Sequence, residues 1–324
     1  MRFLKSEAGA VLLWLIGTIV LAAGLFPRIY QAGKALATHA ASRDLAPVWE
    51  SIGRSAERAD LGTYFSRSLY AAVLLLLPAL ILRLRKIRSA ARPDFPISRH
   101  LPWKTRVFHL LSAIVLAAGL LWLLGGALRA AGAFAPDPDP AGISRIISKA
   151  LIPAFFAAVI EEWLFRGLLL GIWLRILKPG KALLTVSFIF AFVHFLAPPD
   201  GSEIAEPAAP LAGFRMLGII FGHFLNPQFI AAEFLVLLTV GLILGATRLR
   251  TGSLWFPIGL HAGWIFAFKS FNMLHVETAS PLRPLWIGES LRSGLLPLAA
   301  LLVTAVICHF TLRCAKGVED GPRN

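Results

Sequence analysis

Two glutamates and two histidines of this chain lie inside long apolar stretches, where ionisable side chains are expensive. Glu161 and Glu162 are adjacent in one stretch, His194 ends a second, and His261 lies in the middle of a third. A charge at the centre of a bilayer costs about 2.5–3.5 kcal/mol or more, so such residues are functional candidates by default. One carboxylate with two imidazoles could activate a water molecule or could hold a zinc ion.

The spacing of the acidic stretch separates its two glutamates. Glu162 and Arg166 are four residues apart, so on a helix they share one face and can form an ion pair. Glu161 lies about 100° around the same helix, so we expect it to face a polar cavity. A salt bridge between helices with no catalytic role is the alternative interpretation of the same residues.

The sequence lacks the motifs of other types of catalytic site. The chain has no His-Glu-x-x-His, no Gly-x-Ser-x-Gly and no glycine-rich lysine loop, and its apolar stretches contain no aspartate. Cys308 and Cys314 are too few for a disulfide framework or a cysteine-based zinc site. General-base hydrolysis and zinc held by Glu161, His194 and His261 therefore remain open at this point, and so does a proton relay in a transporter.

The composition indicates that the chain lies mainly in a lipid bilayer. Of 324 residues, 57% are hydrophobic and 15% are charged, and the mean hydropathy is +0.71. A soluble domain of this composition would expose large apolar patches, and a disordered chain would need low hydrophobicity. The net charge of +14 sits beside apolar stretches, which favours basic loops of a membrane protein over a nucleic-acid surface.

The elements that must position the candidate residues are membrane-spanning helices of about 20 residues. The sequence predicts an all-α fold, a polytopic helix bundle with about eight spans. They lie near residues 8–26, 66–82, 107–128, 150–174, 182–197, 229–247, 253–274 and 293–312. The first is longer than the apolar core of a cleaved signal peptide, so we expect it to be retained. For 211–225 we expect a re-entrant or interfacial helix, with a ninth span as the alternative.

Basic residues predict the orientation. The connection 83–106 holds eight Lys and Arg residues against one Asp, which is typical of a cytoplasmic loop. Alternation from this loop puts both termini in the cytoplasm, and we expect the chain to lie in the inner membrane of a bacterium. Segment 27–65 is also basic yet falls outside, and an amphipathic helix on the membrane surface would explain it. We expect three parts: an N-terminal membrane region (1–149), a catalytic membrane core (150–274), and a last span with a cytoplasmic tail (275–324).

The depths of the three candidate residues in the membrane support a common site. In this orientation Glu161 lies about 11 residues from the outer end of its span. His194 and His261 lie about 12 and about 8 residues from the inner ends of theirs. At about 1.5 Å per residue, all three fall within the interior of the bilayer.

Three motifs at these positions resemble a known family. Glu161-Glu162-x-x-x-Arg166, then Phe190-x-x-x-His194, then His261 preceded by Leu254-Trp-Phe-Pro-Ile258, occur in the order typical of CAAX-protease and bacteriocin-processing (CPBP, or Abi) proteins. The resemblance covers about 150–270. It implies an eight-helix intramembrane endopeptidase of the glutamic type, without a cofactor, that acts on a membrane-associated protein or peptide.

The resemblance also implies a role for each residue. Glu161 would activate the attacking water with help from His194, Glu162 and Arg166 would support the site, and His261 would stabilise the oxyanion. One departure concerns the third motif, which is often His-x-x-x-Asn, because Ile265 stands four residues after His261. The second oxyanion donor is then missing or supplied elsewhere, by Asn272 or Asn226.

Two other functions remain as alternatives. The first is a zinc-dependent membrane metalloprotease that uses Glu161, His194 and His261. The second is a non-catalytic membrane transporter or immunity protein, which predicts matching discontinuous helices in the two halves of the chain. The sequence offers one such break, at Asn226-Pro227, and no counterpart in the first half. The substrate, its prenylation and the oligomeric state are not encoded in any motif.

Overall fold

A computed structural model of the chain describes residues 6–41, 47–88, 101–199, 201–283, 285–288 and 290–319. Almost all of the regular structure is helical, as the sequence predicts. The helices are α1 (Glu7–Ala41), α2 (Pro47–Glu57), α3 (Leu61–Arg88), α4 (Trp103–Ala130), α5 (Ile143–Leu174), α6 (Pro179–His194), α7 (Ala212–His223), α8 (Pro227–Thr251), α9 (Trp255–Asn272) and α10 (Leu295–Glu319). Two short strands, β1 (Phe134–Pro136) and β2 (His275–Glu277), complete the described elements.

Helices occupy all eight positions predicted for spans, and the all-α polytopic membrane fold is confirmed. Within the described residues, six of them are long and apolar enough to cross a membrane: α1, α3, α4, α5, α8 and α10. Helix α6 is apolar but has only 16 residues. Helix α9 has 18 residues but falls outside this set of six, since His261, Lys269 and Asn272 lower its hydropathy. Helix α7, with 12 residues, is about 18 Å long and cannot cross a core of about 30 Å.

Two local features differ from the prediction. Helix α1 continues through Pro27 to Ala41, whereas the apolar stretch ends at residue 26. Residues Phe134–Pro136 form β1, which pairs antiparallel with β2, although the sequence predicts only helices. Much of the basic connection 83–106 lies outside the described residues, so its prediction as a cytoplasmic loop stays a prediction.

Contacts divide the chain into two compact units. The first comprises Met1–Asp94 and Val193–Asn226, and the second comprises Phe95–Phe192 and Pro227–Asn324. In the first unit, α1 packs along α3, with the rings of Phe26 and Phe65 5.8 Å apart. Helix α7 packs on α1 so closely that a Cβ atom on Gly213 would collide with the backbone of Ala23. Asp60 caps α3 by accepting a hydrogen bond from the N–H of Thr63 at 2.7 Å. Hydrogen bonding to the side chain of Thr63, and then to its backbone, lowers the pKa of the Asp60 carboxyl.

The second unit is built around α9, which α4 and α5 flank. Ala158 of α5 packs against Ile258 and Ala262 of α9 in a buried apolar cluster. Small residues let the helices of a membrane bundle approach each other, because lipid supplies no hydrophobic drive for their association. The short sheet in this unit aligns Ala135 with Val276 and so ties the end of α4 to the end of α9.

Candidate active site

The two glutamates lie near the middle of α5, the longest apolar helix of the second unit. Glu162 is fully buried, whereas the side chain of Glu161 is 29% exposed. The helix widens into a π-helical turn over Trp163–Leu169, immediately after the pair. Such turns are frequent at functional sites. The two carboxylates therefore differ in environment, as their position on the helix predicts.

Glu162 and Arg166 form the ion pair that their spacing predicts. Nη1 of Arg166 donates to Oε1 of Glu162 at 2.7 Å, and both side chains are at most 1% exposed. Nη2 of Arg166 also donates to the carbonyl oxygen of Gly241 on α8, at 3.3 Å. A buried guanidinium needs a charged partner and further acceptors to offset its desolvation, and the structure supplies both.

His261 of α9 joins this pair from another helix. Its Nδ1 lies 2.9 Å from Oε1 of Glu162, the same oxygen that Arg166 contacts. A carboxylate paired with arginine accepts hydrogen bonds and cannot donate them, so Nδ1 of His261 must be the donor. Glu162 thereby fixes both the ring orientation and the protonation of one nitrogen, which leaves Nε2 for chemistry.

Nε2 of His261 is directed towards Glu161. It lies 3.9 Å from Oε2 of that carboxylate, beyond the range of a direct hydrogen bond. A single water molecule commonly bridges two polar groups at such a separation. Because Glu161 is also the partly exposed carboxylate, the arrangement can hold and polarise a small polar molecule between a base and an imidazole.

Phe190 of α6 packs against the charged groups from a third helix. Its ring centroid lies 5.9 Å from that of His261 and 4.3 Å from the guanidinium carbon of Arg166. Phe165 packs edge-on against the same ring at 5.1 Å. A cation over an aromatic face is attracted by the ring quadrupole, and this attraction strengthens without water. Phe190 therefore supports the buried ion pair.

Two glycines position His261 through the contact of α9 with α4. A Cβ atom on Gly263 would lie 2.8 Å from the carbonyl oxygen of Ile114 and 2.9 Å from Cβ of Ala117. A Cβ atom on Gly259 would collide with the carbonyl oxygen of Leu110. Both glycines therefore admit the backbone of α4.

We therefore expect Gly263→Ala to destabilise the protein by about 1–3 kcal/mol, because the backbone of α4 cannot yield as a side chain can. Gly126→Ala is the matched control, since a Cβ atom at Gly126 of α4 would meet no atom within 4 Å. The control should be neutral or stabilising by up to about 1 kcal/mol. Thermal unfolding of both variants in detergent measures the difference. Equal melting temperatures would contradict the close approach of the two helices.

With this geometry established, a comparison with known families is informative. Residues 143–267 match the family model described as type II CAAX prenyl endopeptidase, Rce1-like. The chain carries an Rce1-like domain. The match confirms the resemblance that rests on the three motifs, and the family supports an intramembrane protease. Comparison with the curated proteins and with the solved structures gives no match.

Within this Rce1-like domain, the structure brings together five of the predicted residues: Glu161, Glu162, Arg166, Phe190 and His261. His194 is exposed and is the last residue of α6, one helical turn after Phe190. Its role at the site stays a prediction.

Of the two predicted oxyanion donors, Asn272 does not lie beside His261, and the role of Asn226 stays a prediction. Asn272 is the exposed last residue of α9, about 16 Å along the helix axis from His261, so it does not join this cluster. Ile265 is half-buried one turn after His261. Asn226 is exposed and belongs to the first unit. The His-x-x-x-Asn pattern therefore has no substitute among the residues that contact Glu162.

Sequence reasoning missed two contacts. Glu162 and His261 are 99 residues apart in the chain, and no local periodicity reports their hydrogen bond. The carbonyl oxygen of Gly241 is a backbone acceptor, which leaves no trace in residue type. Gly241 is also needed for close packing, because a Cβ atom there would lie 2.9 Å from the side chain of Ser187 on α6.

The side chains available as metal ligands decide whether this site fits a zinc ion. No group of three or more His, Cys, Asp or Glu side chains in the described part of the chain is arranged to hold a metal ion. The nearest arrangement combines two carboxylates with one imidazole, but Oε1 of Glu162 is already occupied by Arg166 and His261. Glu161, Glu162 and His261 therefore do not fit a zinc site, and we derive no catalytic step through a metal. The alternative set of Glu161, His194 and His261 stays a prediction.

Proposed function

We propose that this protein is an intramembrane endopeptidase that cleaves a peptide bond with a water molecule activated by Glu161. One observation supports this proposal most strongly. The chain of contacts from Arg166 through Glu162 to His261 directs Nε2 of the imidazole towards a second, partly exposed carboxylate at 3.9 Å. A structural salt bridge would need only the first three of these groups.

In the proposed reaction, the carboxylate of Glu161 removes a proton from water as the water oxygen attacks the scissile carbonyl carbon. A carbon–oxygen bond forms, and the electron pair of the carbonyl double bond moves onto its oxygen. When this intermediate collapses, the carbon–nitrogen bond breaks and Glu161 gives its proton to the departing amine. The products are a carboxylic acid and an amine, and Glu161 returns to its ionised form.

His261 stabilises the negative oxygen in this proposal. In its doubly protonated form it donates Nδ1–H to Glu162 and Nε2–H to the oxyanion. Glu162 and Arg166 act as positioning residues, because they hold the ring and do not touch the substrate. The low polarity of the surroundings strengthens each of these interactions.

Two assignments rest on the family resemblance. His194 would assist Glu161 in deprotonating the water, from the last turn of α6. The second oxyanion donor, which the family supplies as asparagine, has Ile265 in its place. We propose that a backbone N–H is the second donor, or that Nε2–H of His261 is the single donor to the oxyanion.

The substrate is a membrane-associated protein or peptide, and a prenylated C-terminal CAAX sequence is the chemistry that the name of the matching family suggests. We assign catalysis to the core at 150–274, with which the match at 143–267 agrees, and treat 1–149 and 275–324 as flanking regions. The basic connection 83–106 favours cytoplasmic termini and, in a bacterium, the inner membrane.

The purified chain in proteoliposomes tests the type of reaction. We expect it to cleave a prenylated CAAX peptide or another lipid-anchored peptide. Cleavage should continue at an undiminished rate after dialysis against a metal chelator, since Glu161 and His261 need no metal. Mass spectrometry of the released fragments measures both the bond cleaved and the rate.

Two results would contradict this proposal. A loss of activity on chelation that zinc alone restores would favour the metalloprotease. Movement of a peptide across the liposome membrane with no cleaved product would favour the transporter.

A further inference from the structure

The first unit contains a cavity that the proposed reaction does not use. Its volume is about 510 Å³, within the range of small-molecule sites. It is bounded by α1, α2 and the beginning of α3. Its lining contains apolar side chains, those of Ile29, Leu36 and Ile52, and polar ones, those of Ser55, Tyr64 and Arg67.

The sequence places this cavity at the boundary between lipid and water. Ile29 and Leu36 lie just beyond the apolar stretch at residues 8–26 of α1, and Arg67 precedes the apolar part of α3. Tyr30 and Tyr64 pack edge-on here, with ring centroids 5.2 Å apart. Tyrosine and tryptophan are enriched at the level of lipid headgroups.

Helix α2 has the character of a helix that lies on a membrane. Its 11 residues contain the oppositely charged pair Glu50 and Arg54, and they also contain Trp49 and Ile52. Trp49 is 55% exposed and Ile52 is 41% exposed, although both are strongly apolar. An amphipathic helix with such a face inserts it among headgroups and acyl chains. The cavity therefore opens where a lipid molecule would be its most abundant neighbour.

Two cations lie over the ring of Tyr64, which lines the cavity: Arg67 is itself a lining residue, and Lys34 lies beside the lining. The guanidinium carbon of Arg67 lies 5.4 Å from the centre of the Tyr64 ring, and Nζ of Lys34 lies 5.8 Å from the same centre. Within the described residues, neither cation pairs with a carboxylate. Their positive charge is thus available to an anionic ligand.

The polar side chains of the lining are also held in place before any ligand binds. Nη2 of Arg67 donates to the hydroxyl oxygen of Ser55 at 3.2 Å, and the hydroxyl of Tyr64 donates to the carbonyl oxygen of Ala56 at 2.7 Å. Gly33 lacks the Cβ atom that would collide with the Tyr64 ring. A site ordered in advance loses less entropy when it binds its ligand.

We propose that this cavity binds an anionic phospholipid. The lipid phosphate contacts Arg67 and Lys34, and one acyl chain lies along Ile29, Leu36 and Ile52. Arginine suits phosphate because its planar N–H groups can donate two parallel hydrogen bonds. An apolar part of the lining together with two cations matches a molecule that carries a phosphate and a hydrocarbon chain together. The proposal does not depend on the protease mechanism, since none of these residues belongs to it.

Lipid binding to the full-length protein in detergent tests this proposal. Native mass spectrometry measures the retention of phosphatidylglycerol, with phosphatidylcholine as the zwitterionic comparison. We expect selective retention of phosphatidylglycerol and a loss of affinity of about tenfold or more in Arg67→Gln and in Lys34→Gln. Arg58→Gln is the matched control, since it removes an exposed cation directly after α2 that is neither a lining residue nor one of the two cations over the Tyr64 ring. The control should change the affinity by less than about twofold.

A second variant blocks the apolar part without altering charge. Ala32→Phe adds a ring at a residue that lines the cavity, so it should weaken retention while leaving Arg67 and Lys34 unchanged. It keeps the test decisive if Arg67→Gln fails to fold. Equal retention of the two lipids by the wild-type protein would overturn the proposal. So would competition by inorganic phosphate at the same concentration as the lipid, or an unchanged affinity in the folded variants.

Discussion

Glu161→Gln is expected to reduce cleavage by roughly 10²–10⁴-fold while the protein still inserts and folds. The amide has nearly the shape of the carboxylate but cannot accept a proton from water. Since Glu161 is 29% exposed and is not part of the Glu162–Arg166 ion pair, its replacement leaves that buried pair intact. The loss should appear in kcat, with KM little changed, because the missing interaction belongs to the transition state.

A control with the same change of charge distinguishes the loss of a catalytic carboxylate from the loss of one negative charge. Glu206→Gln is the control, since Glu206 is an exposed acid in the loop before α7. It should retain full activity under the same assay. Melting temperatures of the wild-type protein and both variants should agree within a few degrees. Full activity in Glu161→Gln would end the proposal of glutamate-activated water, whatever the effect of the other substitutions.

Arg166→Met is expected to be the most destabilising single change at the site, by about 3–5 kcal/mol. It leaves the carboxylate of Glu162 fully buried with only His261 to compensate its charge. It also removes the donor to Gly241 on α8 and the cation that packs on Phe190. Thermal unfolding in detergent measures the loss as a fall in melting temperature.

A double-mutant cycle separates the ion pair from the packing of the arginine. Glu162→Gln combined with Arg166→Met removes the uncompensated charge, so the double variant should be more stable than the sum of the single effects predicts. Arg54→Met is the matched control, because Arg54 and Glu50 have the same spacing on α2 but are each 51% exposed. An exposed pair contributes less than about 1 kcal/mol. Equal losses in Arg166→Met and Arg54→Met would contradict the burial of the first pair.

Much of the helical framework follows from the sequence because each span is a local property. A run of about 20 apolar residues forms a helix wherever its backbone groups cannot reach water. The Glu162–Arg166 pair follows for the same reason, since four residues of one helix decide it. The three motifs then indicated a family that the match at 143–267 bears out.

Features that depend on other parts of the chain were not predictable. Helix α1 runs 15 residues beyond the apolar stretch, through Pro27, where it packs against α2 and α3. The pairing of β1 with β2 joins segments about 140 residues apart, and each is too short for a strand pattern. The π-helical turn after Glu162 likewise has no known signature in residue types.

The sequence by itself determined that this is an integral membrane protein. It also determined which few ionisable residues lie within its apolar segments. It could do so because the cost of a charge in hydrocarbon acts on each residue separately. Only the tertiary structure decided that Glu162 shares one oxygen between Arg166 and His261, and that Nε2 of His261 is directed towards Glu161. The reason is geometric: residues 99 positions apart meet only because α9 packs tightly against its neighbours, where Gly263 admits the backbone of α4 and Ala262 packs on Ala158 of α5.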